Sequence, residues 1–185
     1  MMVKVAALVI ALVNVGGVDD AMFDRVVKHL EATLDTTPLV LAPREAVTEA
    51  GLDAEADVLA AMVNDDVIGI VALTMLEKES AIDGKIYPVR RVSFVNVAGL
   101  EPADGDAEAF GRRVEKEAVR CSGAVLGMPP CPLFLCALFH YADDEGLDSK
   151  GRNFCPPCQR LYETRAAEVG LTRGTDTPGA PPAGE

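Results

Sequence analysis

All five cysteines of this 185-residue chain fall between positions 121 and 158, and four of them, Cys131, Cys136, Cys155 and Cys158, form a C-x4-C pair, an 18-residue gap and a C-x2-C pair. Two close pairs of soft thiolates can converge into a tetrahedron, and the loop between them leaves each pair free to orient. The pattern points to one structural zinc ion, whose binding adds to folding free energy because an unfolded chain has no preformed site. Two other readings use the same residues. Cys155-Pro-Pro-Cys158 alone could be a redox motif, but such motifs follow the first strand of a thioredoxin-like unit, and this one follows a proline-rich loop near the end. Two disulfides would suit an exported protein. Spacing and context favour zinc over both. Cys121 is left over and reads as a buried helix residue.

Export has one candidate signal, the apolar run VAALVIALV at residues 5–13 behind Lys4. The run is far shorter than the roughly 20 residues of a spanning helix, its positive flank is a single lysine, and no clear small-x-small cleavage site follows. A buried first strand is the better reading, and a cytoplasmic protein with no membrane association is expected. With 49% hydrophobic and 25% charged residues the chain has the composition of a globular domain. A formal charge of −12 and the absence of Trp argue against a nucleic-acid partner, because phosphate backbones would be repelled and a base-stacking surface would be poor.

Along the chain, strands alternate with helices. After the strand that ends at Gly16-Gly17, Asp19 and Asp20 can cap a helix to about Leu34, with Met22, Phe23, Val26, Val27 and Leu30 on one face. Residues 38–42 read as a short strand, 43–53 as a loop with helical turns, 52–63 as a helix and 67–75 as a second buried strand. In the polar segment 78–91, Asp83-Gly84 makes a turn and Pro88 confines any strand to a sheet edge, as a strand beside a substrate groove would be. A strand over 91–98, a turn-rich stretch over 99–106 and a helix over 107–126 follow. The stretch 127–153 is irregular, and the last helix runs over 156–169. This order implies a three-layer α/β sandwich whose C-terminal portion is too loop-rich to hold itself by core burial alone. One domain over residues 1–170 and a disordered tail over 171–185 are expected.

The strand-helix order together with residues 120–158 resembles the archaemetzincins, metzincin-type metallopeptidases that carry a second, cysteine-bound zinc. Their motif runs H-E-x-x-H-x-x-G-x-x-H-C-x4-C-x-M, with a C-x2-C after a loop. Its second half stands here as Gly127, Cys131, Cys136, Cys155 and Cys158, and Leu138 takes the place of the methionine beneath the catalytic metal, a mild change of similar volume. The first half does not stand. Counting from Gly127, Arg120 takes the first histidine position, Cys121 the glutamate, Ala124 the second histidine and Pro130 the third. Arg120 is a permanent cation where a metal would sit, Ala124 and Pro130 have no ligand atoms, and Cys121 falls at the general-base position. The chain has two histidines, His29 and His140, so one subunit cannot supply three.

The resemblance implies a zincin-like sandwich, with a twisted mixed sheet and an irregular zinc-stapled C-terminal part. It also implies a degenerate catalytic site, so the expected protein is proteolytically inactive and takes a peptide or protein in the former groove near residues 85–90. The alternative is an active metallopeptidase or hydrolase with a noncanonical site, for instance Cys121 with His140, or Glu115 with Glu117. Nothing in the sequence brings the first pair together. The second pair lies about 200° apart around a helix axis, so two solvated carboxylates are expected there. His140 is expected as a loop residue near the zinc.

Overall fold

The computed structural model describes residues 9–76 and 83–171. Two strands have no polar face: β1 (Val9–Val15) is buried along most of its length and β3 (Val67–Thr74) along all of it. Such runs belong at the centre of a sheet covered on both sides. They pair in parallel, β2 (Leu39–Val40) adds to the outer side of β1, and β5 (Val92–Asn96) pairs in parallel with β3. β4 (Gly84–Tyr87) closes the order β2-β1-β3-β5-β4 and pairs antiparallel with β5, which makes the sheet mixed. Pro88 follows directly on β4, at the edge position that a residue lacking an N–H can occupy.

Alternation along the strands divides the core in two. Ile10, Leu12, Val71 and Leu73 face α1 (Asp20–Leu34) and α3 (Ala107–Val125). Ala11, Val13, Ile70 and Ala72 face Leu52, Ala56 and Leu59 of α2 (Leu52–Ala60). Asp19 starts α1 by accepting from the amides of Ala21 and Met22, and Phe23, Val26, Leu30 and Leu34 form its buried stripe. α5 (Pro156–Val169) opens with proline where the helix needs no donor, and the buried Tyr162 hydroxyl donates to the Leu34 carbonyl at 2.8 Å, fixing α5 to the end of α1. The result is the expected three-layer α/β sandwich.

The differences from expectation are local. α2 stops at Ala60 rather than at 63, because the Asn64 carboxamide accepts from the amides of Asp66 and Val67 and turns the chain into β3. The stretch 127–153 contains a short helix, α4 (Asp144–Ser149), capped by Asp143. Residues 5–8 of the expected first strand, 78–82 of the polar segment and 172–185 of the expected tail lie outside the described residues. Among the described residues no helix is long and apolar enough to cross a membrane.

Candidate metal centre and the groove beside it

The four cysteines are carried by three local devices. α3 ends in a Schellman motif: Gly127 has φ +73°, its amide donates to the Ala124 carbonyl, and the Met128 amide donates to the Gly123 carbonyl. The chain therefore turns sharply and leads through Pro129-Pro130 to Cys131, whose amide donates to the Leu138 carbonyl across a tight loop holding Cys136. Cys155 is the N-cap of α5 and Cys158 lies in its first turn, at the positive end of the helix dipole.

The four sulfurs lie within 4.8 Å of one another, and those of Cys131 and Cys155 are 3.8 Å apart. A zinc–sulfur bond of about 2.3 Å in a tetrahedron requires sulfurs roughly 3.8 Å apart. The amide of Cys155 donates to Cys136 Sγ at 3.4 Å and the amide of Leu133 to Cys131 Sγ at 3.5 Å, as suits sulfurs that carry negative charge. Four thiolates this close repel one another unless a divalent cation sits between them. Donor type, spacing and burial therefore fit one zinc ion, and the group is placed to bind it.

A second set of contacts secures the same region. α3 carries four charged side chains that are almost fully buried, Arg113, Glu115, Lys116 and Glu117. Arg113 donates to Asp148 at 2.6 and 2.7 Å and to Asp144 at 3.0 Å. Lys116 donates to the carbonyls of Leu147 and Asp148 at the negative, C-terminal end of α4. Glu115 accepts from Arg152 at 2.6 Å and from Arg25 of α1 at 2.9 Å. Glu117 accepts from Lys150 at 2.6 Å and from Arg120 Nε at 2.7 Å. Burial alone would raise the Glu117 pKa, but these two cations outweigh it and hold the carboxylate below its ordinary range. The expectation of two solvated carboxylates at 115 and 117 is thus corrected, since both lie in buried ion pairs that tie residues 144–152 to α3. Gly151 completes the fit: its amide donates to the Phe134 carbonyl at 3.1 Å, and a Cβ on it would collide with the Leu135 carbonyl.

Beside this region lies a cavity of about 380 Å³ lined by Ile86, Pro88, Arg120, Ala124, Gly127, Met128, Pro130, Leu138 and His140. Three of the four positions read as replaced catalytic residues, Arg120, Ala124 and Pro130, thus share one wall, with Leu138 beside them and the edge strand supplying Ile86. Gly123 permits this packing, because a Cβ there would stand 2.9 Å from Leu138 Cδ2. The fourth position, Cys121, does not line the cavity. It is fully buried, its thiol lies 3.9 Å from the Phe94 carbonyl, and burial raises its pKa. His140 is on the cavity wall and exposed, so the cavity contains one member of the Cys121/His140 pair and not the other. Sequence reasoning missed Met128 as a wall residue and the cations at 150 and 152. The one available signal for the latter was a basic pair in the otherwise acidic stretch between the cysteine pairs.

No protein-family model matches the chain, and no curated protein matches it by sequence. Solved structures do. Archaemetzincin from Methanopyrus kandleri superposes with a TM-score of 0.71 at 22% identity, covering 90% of this chain and 99% of that one. A zinc-dependent peptidase from Methanocorpusculum labreanum gives 0.67 at 19% identity over 82% of this chain and 98% of that one. Archaemetzincin from Archaeoglobus fulgidus, crystallised with malonate, gives 0.63 at 19% identity over 81% and 98%. With its mixed five-stranded sheet, its flanking helices and its cysteine cluster after α3, this chain has the archaemetzincin fold.

Proposed function

We propose that this chain is a divergent archaemetzincin that holds one structural zinc and has exchanged peptide cleavage for peptide binding in the groove beside β4. The observation that carries the reading is the wall of the cavity. Where a zincin needs two histidines one helical turn apart, this wall has Arg120 and Ala124, with Pro130 in place of the third. The glutamate position offers no base to the cavity, because it holds the fully buried thiol of Cys121. Glu117 is committed to Lys150 and Arg120, and Glu115 to Arg25 and Arg152. The zinc, when bound by Cys131, Cys136, Cys155 and Cys158, would supply folding free energy to the C-terminal part.

What remains serviceable is the shape. β4 is hydrogen-bonded to β5 on one side, and Ile86 and Pro88 bring it to the cavity rim. An extended peptide can add to such an edge through main-chain hydrogen bonds, and that addition needs no catalytic metal. The test is incubation of the purified protein with a peptide library, with and without added zinc or cobalt, read by mass spectrometry alongside a binding assay. Retention of peptides without cleavage is expected. Chelator-sensitive cleavage that Cys121→Ala or Glu117→Ala abolishes would overturn the reading.

A further inference from the structure

The cavity wall has a chemistry more specific than a generic groove. In a chain with 29 acidic and 17 basic side chains, none of the nine lining residues is acidic. Six are apolar side chains, one is Gly127, and the polar ones are Arg120 and His140. Arg120 is fixed rather than loose. Its Nε donates to Glu117 Oε2 at 2.7 Å, its Nη2 lies 2.6 Å from the same oxygen, and Gly84 leaves room for it, since a Cβ there would approach Nη2 to 3.2 Å. A guanidinium has five N–H donors in one plane. Two are spent on Glu117, and those of Nη1 have no hydrogen-bond partner among the described residues. Glu117 is shared with the buried Lys150, so this trio carries two positive charges against one negative. Asp83, the nearby carboxylate of the same cluster, lies 3.4 Å from the Tyr141 hydroxyl and does not line the cavity.

We propose that this cavity receives the C-terminus of a peptide, with the terminal carboxylate on the open N–H edge of Arg120 and the last side chain, an apolar one, among Ala124, Met128 and Leu138. This rests on the peptide-binding reading above and narrows it. A preorganised guanidinium in an apolar wall selects a carboxylate, because that fork geometry and the low-dielectric setting strengthen a charge-assisted pair. An internal peptide segment brings apolar groups and no charge, and an acidic side chain brings charge without an apolar group. A chain terminus presents both on one carbon. At about 380 Å³ the cavity is near the small end of ligand sites and suits one or two residues, with the rest of the peptide extended along β4.

The experiment uses the full chain as purified and fluorescein-labelled octapeptides ending in leucine, once as the free acid and once as the C-terminal amide, read by fluorescence anisotropy. The free acid is expected to bind about tenfold or more tightly than the amide. In Arg120→Gln the difference should vanish, with zinc content and thermal melting confirming that the variant folds. If it does not fold, competition by N-acetyl-leucine against N-acetyl-leucinamide in the unaltered protein reads the same preference. Equal affinity of acid and amide would overturn the carboxylate site and leave peptide binding standing. If N-acetyl-leucine binds as tightly as the octapeptide, the occupant is a small free acid, and the assignment to a peptide terminus fails. If neither these octapeptides nor any member of the library binds, the peptide-binding reading itself fails.

Discussion

Glu117 is the residue on which the groove and the C-terminal part meet. Its carboxylate has no exposed side-chain surface, and it is shared by Lys150, equally buried, and Arg120, which lines the cavity. Removing the carboxylate from this trio leaves two cations uncompensated, whereas removing Lys150 leaves Glu117 paired with Arg120. Glu117→Gln is therefore expected to cost about 3–5 kcal/mol in urea unfolding, and adding Lys150→Met, which takes away the buried ammonium left without a partner, should recover part of the loss. Additive losses in that double-mutant cycle would show that the two groups are not coupled. At this scale the four cysteines were legible in the sequence, because soft ligands at close spacing have few other uses. The ions at 113, 115, 116 and 117 were not, since a charged residue looks the same whether it is solvated or buried against a partner thirty residues away. Arg120, Ala124 and Pro130 could be placed only through the motif counted from Gly127, which the Schellman turn at that glycine explains.

At the scale of elements, the C-terminal part is held twice, by the cysteine cluster and by the polar face of α3 gripping residues 144–152. The ion pairs of α3 thus add a second anchor to the zinc staple that the resemblance implied. Loss of one ligand should weaken one of the two anchors and leave the sheet intact. Cys155→Ser is expected to lose its zinc and lower the melting temperature by on the order of 10 °C, as a loss of several kcal/mol does in a chain of this size. Hydrogen exchange should quicken in residues 127–165 and stay unchanged in β1 and β3, and unchanged metal content would refute the assignment. α1 was readable from its capping aspartates and apolar stripe, α3 from its apolar spacing, α5 from the prolines at its start, and β4 from Pro88. α4 was not, because six residues with one buried side chain, Leu147, carry no periodicity and depend on Asp143 and Lys116 for their ends.

Over the whole molecule, the alternation of strands and helices sufficed for the sandwich, but strand order was not in it. Parallel neighbours β3 and β5 come from segments separated by the edge strand, and only the folded pairing reveals that. The buried ion pairs set a pH dependence. Glu117 is held below its ordinary value of 4.5, and Asp148, hydrogen-bonded to Arg113, below 3.8, so the unfolded chain takes up these protons first. Their contribution is complete above those values and is lost as pH falls through the lower folded-state values. His29 is lowered from 6.5 chiefly by burial, which adds a loss of the same sign starting nearer pH 6.5. The urea midpoint should therefore decline gently below pH 6.5 and steeply below 4.5, with the steep part reduced in Glu117→Gln; an identical profile in that variant would contradict the assignment.

The central claim is one metal, bound by sulfur alone, in a fold whose relatives include a zinc-dependent peptidase. X-ray absorption at the zinc edge, with metal content determined on the same sample, tests it most directly. One zinc per chain with four sulfur neighbours at about 2.3 Å is the expected result. A second zinc, or a shell with nitrogen and oxygen neighbours, would contradict it and return a catalytic metal to the groove.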